Sequence, residues 1–470
     1  MVFTSLEFLA LFLPLFLLVY AVSPDSWRNT VLLIGSWIFY GWWSPAYLLL
    51  LIGLTAVTWA GGLLMAPGLF ISQRARLWVL TALIVVDASI LFWFKYANIL
   101  AETYNDVVPL IGTMPLQWQH IALPIGLSFI LLQAISYLVD VYRGDVQPQR
   151  RFIWFGAYLA MFGQLIAGPI LRYDWMAKEL ASRRFDWVDF SAGARRFMVG
   201  MCMKVLIADT LSPLVDIAFL LPSPTFMDAW LGCLAYSLQL FFDFAGYSAM
   251  AIGLGQMLGF HFPENFNHPY LATSIQDFWR RWHISLSTWI RDYLYIPLGG
   301  SRKGVSRTYV NLILTMAIAG MWHGSDNWNF LLWGLAHGFA LAIARVWHQA
   351  NWPTGPRVLS RMMTIVFVCM AWVVFRAADF QTAKLLYTVQ LGLSGWGMGD
   401  ALRVELQAVH IVAMSLGIAC IVAPYFRETF RRGVPPTVLS VADLWPVAGF
   451  LLAFALVASR KAVPFLYFQF

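Results

Sequence analysis

Ala319-Gly320-Met321-Trp322-His323-Gly324-Ser325-Asp326-Asn327-Trp328 parts two apolar runs, Tyr309–Met321 and Trp328–Trp347. Each run reads as a helix. Between them stands an imidazole followed by a short polar break. In water such a break is an ordinary loop. Within a bilayer, irregular backbone is tolerated only inside protein or beside a water-filled cavity, because lipid cannot satisfy its polar groups. The rest of the chain decides between these settings.

Of the 470 residues, 60% are hydrophobic, 16% aromatic and 12% charged. Soluble chains carry about 25% charged residues. The mean hydropathy is +0.68. A soluble protein of this length has no room to hide so much apolar surface, so lipid is the solvent the composition implies. Disorder, coiled coil, collagen and disulfide scaffolds are excluded.

Further apolar runs predict helices near Ser5–Val22, Thr30–Trp43, Ala46–Met65, Leu77–Ala97, Ile121–Tyr142, Phe197–Leu220, Ala229–Phe260, Val358–Phe375, Ala408–Ala423 and Val441–Ala458. Ser5–Val22 lacks a basic flank and reads as a retained first span. Phe152–Ile170 is apolar but broken by glycines and Pro169, and is expected to re-enter rather than cross. Phe260–Arg307 is too polar to span yet rich in Trp, Tyr and Pro, which suits interfacial or re-entrant helices. The expectation is an all-α polytopic membrane protein with about 11 to 13 membrane helices. It is read as a single domain over 1–470: N-terminal helices to 151, a core over 152–345, and C-terminal helices over 346–470.

The formal charge is +7. Lys and Arg gather in Arg74–Arg76, Arg143–Arg151, Arg172–Arg196, Arg280–Arg307, Arg345–Arg361 and Arg427–Arg432, whereas Asn98–His120 has neither. Positive-inside logic assigns the basic loops to the cytoplasm. No basic face interleaved with stacking aromatics points to nucleic acid. Cys202, Cys233, Cys369 and Cys420 are scattered, with no paired spacing for zinc or redox chemistry. The histidines show no close metal-binding pairs, so no metal is expected.

Ionisable groups within spans are costly and each is a functional candidate. Asp87 and Lys95 share one predicted span, and a mutual or snorkelling arrangement is the simpler reading. Asp243 is either a hydrogen-bonded core carboxylate or part of a polar cavity. His323 follows an apolar run and precedes the break. His283 lies in Phe278-Trp279-Arg280-Arg281-Trp282-His283-Ile284-Ser285-Leu286-Ser287. A buried, hydrogen-bonded histidine is the commoner case. The sharper alternative is a neutral imidazole that takes a proton from a hydroxyl, as acyl transfer from a thioester to an alcohol requires. No nucleophile elbow or phosphate-binding glycine loop is present.

At these residues the chain resembles the membrane-bound O-acyltransferases, and within them the bacterial alginate O-acetyltransferase branch. The resemblance is carried by Leu123-Pro124-Ile125-Gly126-Leu127-Ser128-Phe129, Gln133–Arg143, Lys204-Val205-Leu206-Ile207-Ala208-Asp209, Glu264-Asn265-Phe266-Asn267-His268-Pro269-Tyr270, Phe278–Trp289 with Arg291–Gly300, and Met321-Trp322-His323-Gly324. It is clear to about Leu341 and returns at Phe465–Phe470. Ser325-Asp326-Asn327 departs from the branch pattern, and the C-terminal part is shorter, which leaves room for a polymer other than alginate, such as cellulose.

The resemblance implies helices around a central tunnel in the bacterial inner membrane. It implies His323 and His283 as catalytic residues, and Trp282, Arg281, Arg291, Asp292, Trp322 and Asn327 as substrate-binding ones. It further implies acetyl-CoA as the donor, no bound cofactor, and a periplasmic acetyltransferase partner that meets the polysaccharide. D-alanyl transfer to teichoic acid, and a non-enzymatic transport or scaffold role in polysaccharide secretion, are the alternatives.

Overall fold

The computed structural model describes all residues except 67, 69–71, 167, 325–326, 354, 433–443, 461–462 and 467–470, and the side chains of 111 and 426–432. The described residues are helical or irregular, with no strand among them. Among the described residues, six helices are long and apolar enough to cross a membrane: Pro45–Leu64, Gln73–Leu110, Trp187–Leu220, Asn329–Gln349, Arg357–Arg376 and Ala408–Tyr425. Three shorter apolar helices join them: Glu7–Val22, Phe152–Leu165 and Trp445–Ser459. A 20-residue helix is about 30 Å long, the thickness of the hydrocarbon layer.

The helix Gln73–Val107 shows which solvent these helices meet. Trp78, Val85, Phe92 and Trp93 are exposed, whereas Asp87 and Lys95 are buried. This is a soluble helix turned inside out. Apolar side chains face outward at no cost only if the surroundings are lipid, and charges turn inward to find polar company. Lys95, 1% exposed, does not snorkel to the surface.

Two compact units divide the chain, one of residues 1–194 and 251–263, the other of 195–250 and 264–470. The first unit is filled largely by rings. Phe162 meets Phe12, Phe16 and Phe39 at centroid separations of 5.4, 4.9 and 5.6 Å. Phe152–Ile170 is broken as expected, into Phe152–Leu159 and Phe162–Leu165, both largely buried. The helix expected from Ile121 begins only at Leu127, because Pro124 and a left-handed Gly126 stop it earlier.

The second unit holds the motif histidines. Within it, residues 264–307 form the short helices Ile275–Arg281 and Ile284–Ile290, then a π-helical turn, Arg291–Tyr295. A second π-helical turn, Met203–Ala208, interrupts the long helix that starts at Trp187. Such turns break the regular ladder and re-aim side chains, often at functional sites. The amphipathic helices Tyr173–Ala181, in the first unit, and Phe380–Gln390, in the second, lie outside the apolar runs.

Candidate active site

Val305–His323 and Asn329–Gln349 cross with their backbones almost touching. A Cβ on Gly334 would stand 2.3 Å from the Met316 carbonyl oxygen, and one on Gly320 2.2 Å from that of Phe330. Small residues at such a crossing allow the close approach that packs helices within membranes. His323 is the last residue of its helix. Gly324 follows because any larger residue would collide with the Phe330 ring, 1.7 Å from a built Cβ. The His-Gly pair therefore ends the helix where the crossing is tightest.

His323 is 8% exposed. Its ring packs edge-on against Trp322, Trp333 and Phe375, at 4.9, 5.3 and 5.6 Å between centroids. It lines a cavity with Trp282, Trp333, Trp372 and Asp243. Phe465 and Leu466 close another side. The cavity is thus an aromatic box holding one imidazole and one carboxylate. Excluding water from such a box strengthens every polar interaction within it.

His283 adopts φ 44° and ψ 55°, the left-handed region that residues with a Cβ rarely enter. Asn265 holds it there. The Asn265 side-chain oxygen accepts from the backbone N–H and hydroxyl of Ser285, at 3.2 and 2.9 Å, and lies 3.3 Å from His283 Nδ1. The Asn265 carbonyl accepts from the Ile284 N–H at 2.9 Å. One amide thus fixes the bend between the two short helices. Complete burial pushes the His283 imidazole down to about 3, so it is neutral. His283 stands behind the cavity wall, its ring 4.7 Å from that of Phe244, which does line the cavity.

Of the residues marked in the sequence, His323 and Trp282 meet in the cavity, with Trp322 packed against His323. The others lie elsewhere. Arg281 is paired with Asp277 at 2.8 Å. Asn327 donates to the Ala378 carbonyl and accepts from the Asn329 N–H, which shapes the start of a helix. Arg291 and Asp292 bind each other through two contacts of 2.6 and 3.1 Å. Arg291, Arg302 and Lys303 line a separate open cleft with Tyr295 and Ser301.

Sequence reasoning missed several residues. Trp333, Trp372 and Phe375 line the cavity, but as aromatics in apolar runs they carry no local signal. Asn265 was visible only as a motif member. His337 is fully buried against Trp279, Trp333 and Phe367, and neither ring nitrogen has a hydrogen-bond partner among the described residues. Asp243 is both of the things the sequence left open, a hydrogen-bonded carboxylate and a cavity wall.

His323 thus stands buried at the end of a helix in a multi-pass helical protein, and comparison with known proteins gives the class of protein. The family model for the membrane-bound O-acyltransferases matches residues 148–381. The chain is 44% identical over 432 residues to the probable alginate O-acetylase AlgI of Azotobacter vinelandii, covering 92% of this chain and 86% of that protein. It is 44% identical over 435 residues to the protein of the same name from Pseudomonas aeruginosa, covering 92% and 83%. The peptidoglycan O-acetyltransferase of Helicobacter pylori is 35% identical over 434 residues, covering 84% and 80%.

The chain belongs to the membrane-bound O-acyltransferase family. It is a multi-pass membrane O-acyltransferase that uses an acyl donor. With 92% of the chain covered, the similarity runs well beyond Leu341.

Proposed function

We propose that the protein takes acetyl groups from a cytoplasmic thioester, acetyl-CoA, and passes them across the bacterial inner membrane for O-acetylation of an exported polysaccharide such as alginate or cellulose. A periplasmic acetyltransferase partner completes delivery to the polymer. The observation that carries this reading is the cavity that joins His323 to Asp243 between six aromatic side chains. The names of the relatives from Azotobacter and Pseudomonas supply the polymer class.

In this reading an acceptor hydroxyl attacks the thioester carbonyl carbon. The new C–O bond forms as the C–S bond breaks. His323 accepts the hydroxyl proton and returns it to the departing thiolate, so charge and atoms balance. Whether His323 serves as that base or carries the acyl group between donor and acceptor, its ring must be neutral when the acyl group arrives. The open cleft of Arg291, Arg302 and Lys303 suits the phosphates of a nucleotide-linked donor.

The test is ester-linked acetyl per unit of secreted polymer, in wild type and His323→Ala at matched membrane levels. Polymer that persists without acetyl is the expected result. Loss of the polymer itself would favour a secretion component, and unchanged acetylation would sink the assignment.

A further inference from the structure

Lys204 is almost wholly buried, in the π-helical turn Met203–Ala208. Its ammonium is shared by two carboxylates, Asp209 and Asp243, the latter at 2.6 Å. An unpaired charge at such a position is severely penalised, so the three groups belong together. The triad occupies only one oxygen of Asp243. The other, Oδ2, accepts the backbone N–H of Leu466 at 2.9 Å. Residues 465 and 466 lie more than 200 positions further along the chain. Phe465 nonetheless packs 4.9 Å from Tyr247 and 5.7 Å from Phe244, and is 3% exposed. Phe465, Leu466, Asp243 and Phe244 all line the His323 cavity.

We propose that Lys204 and Asp243 are positioning residues of the acyl-transfer site, which act by docking residues 463–466 as a wall of the His323 cavity. The inference rests on the reading of that cavity as the acyl-transfer site. Lys204 fixes which way the Asp243 carboxylate points. Asp243 then offers a charged acceptor to a main-chain donor, and a hydrogen bond to an ionised group is about twice as strong as a neutral one. Phe465 fills the space between Phe244 and Tyr247 once the backbone is held. The carboxylate thus works as a latch, and the segment it holds sets the shape of the cavity beside the imidazole.

An amide at 243 has one acceptor and one donor end. In the carboxylate's place, its oxygen faces one of Lys204 and the Leu466 N–H and its amino end faces the other, so one of the two contacts is lost. Leu466→Pro deletes the N–H donor and leaves the buried charges intact, while it also fixes φ at 466 and restricts residue 465; it remains informative if Asp243→Asn fails to fold. The docking is read by placing a cysteine at Phe465→Cys and measuring maleimide labelling in native membranes. The same chain without the added cysteine provides the background from its four natural thiols.

The expected result is an increase of about ten- to a hundred-fold in labelling at position 465 when either Leu466→Pro or Asp243→Asn is added, as loss of a charge-assisted hydrogen bond predicts. Acetyl transfer per folded molecule should fall in parallel for both variants built in the wild-type chain. The double variant Lys204→Met with Asp243→Asn frees the amide oxygen for Leu466 and should recover protection at 465 part of the way. Unchanged labelling in Leu466→Pro would overturn the docking. Increased labelling with undiminished transfer would overturn the positioning role. If labelling behaves as expected but the wild type transfers no acetyl, the docking stands and the proposed function falls.

Discussion

Two ring clusters, one in each unit, bury different chemistry. Around Phe162 the first unit stacks Phe8, Phe12, Phe16 and Phe39, rings with no polar atom to satisfy. Around Trp333 the second unit gathers His323, His337, Trp279, Trp372 and Phe375. The same unit holds Lys204 between its two carboxylates. Both interiors are aromatic, and both sit in a molecule whose outer surface is greasy. The cluster around Phe162 needs only matching volume. The second carries donors and acceptors that lipid cannot satisfy, so each must find a partner within the protein or serve a bound group. In a membrane protein the location of buried polar atoms, more than of apolar ones, separates scaffold from site.

The strongest way to break this contrast is to injure both interiors and compare activity per folded molecule. Phe16→Ala should lower stability by about 3–5 kcal/mol, as loss of a buried ring does. The molecules that remain folded should keep their specific acyl transfer. His323→Ala should leave the unfolding midpoint almost unchanged and reduce transfer by about a hundred-fold or more. Parallel thermal unfolding in detergent and acetyl-transfer assays check both. Equal loss of specific activity in the two variants would erase the distinction.

Lys204→Met tests whether the polar interior is also structural. It strands two buried carboxylates beside an apolar chain. The expected cost is about 3–5 kcal/mol of stability, the usual penalty for breaking a buried pair from one side. A midpoint indistinguishable from wild type would mean that water already reaches the triad.

A smaller effect is expected at the crossing behind His323. Gly334→Ala adds one methyl where the Met316 carbonyl stands 2.3 Å away. Forced separation of the helices should cost about 1–3 kcal/mol. Because His323 ends one of those helices, transfer should fall further than stability alone explains. A misplacement of about 1 Å costs up to about a hundred-fold in rate. Stability lost with rate per folded molecule retained would show that the crossing does not set the imidazole.

The smallest effect belongs to the first unit, outside its spans. His261 is held by Glu179 at 3.0 Å and faces Asp189 at 3.5 Å. The Glu179 hydrogen bond, helped by the charges of both carboxylates, raises its imidazole above the ordinary value of 6.5. Protonation is therefore favoured in the folded form. The stabilisation is complete below about 6.5 and fades as pH rises through the raised value. His261 is well exposed, so the increment should stay under about 1 kcal/mol and shrink with salt. His261→Gln should flatten this part of the pH–midpoint curve. If the wild-type curve is already flat, the pair is ornamental.

Much of the fold was legible because composition reports solvent. A chain with 12% charge and long apolar runs has few ways to fold except as helices in lipid. The break after His323, the interruption of Phe152–Ile170 and the irregularity of Phe260–Arg307 were visible for the same reason: glycine, proline and polar residues stand out against an apolar background. The left-handed turn at His283 was not visible, since it depends on Asn265 reaching across from another segment. Arg281, Arg291, Asp292 and Asn327 stood in telling motifs, yet their partners turn them away from the His323 cavity.

By itself, the sequence determined the solvent and the helical class, and it singled out His323 as the candidate for the chemistry. Each of these follows from local composition or from a short motif. Tertiary structure alone decided that Asp243 is latched to Lys204 and to Leu466, that Trp333, Trp372 and Phe375 box His323, and that His283 stands behind Phe244. Those contacts join residues far apart in the chain. Buried pairing is settled by which helices touch and how closely, and in this protein glycines at one crossing set that distance.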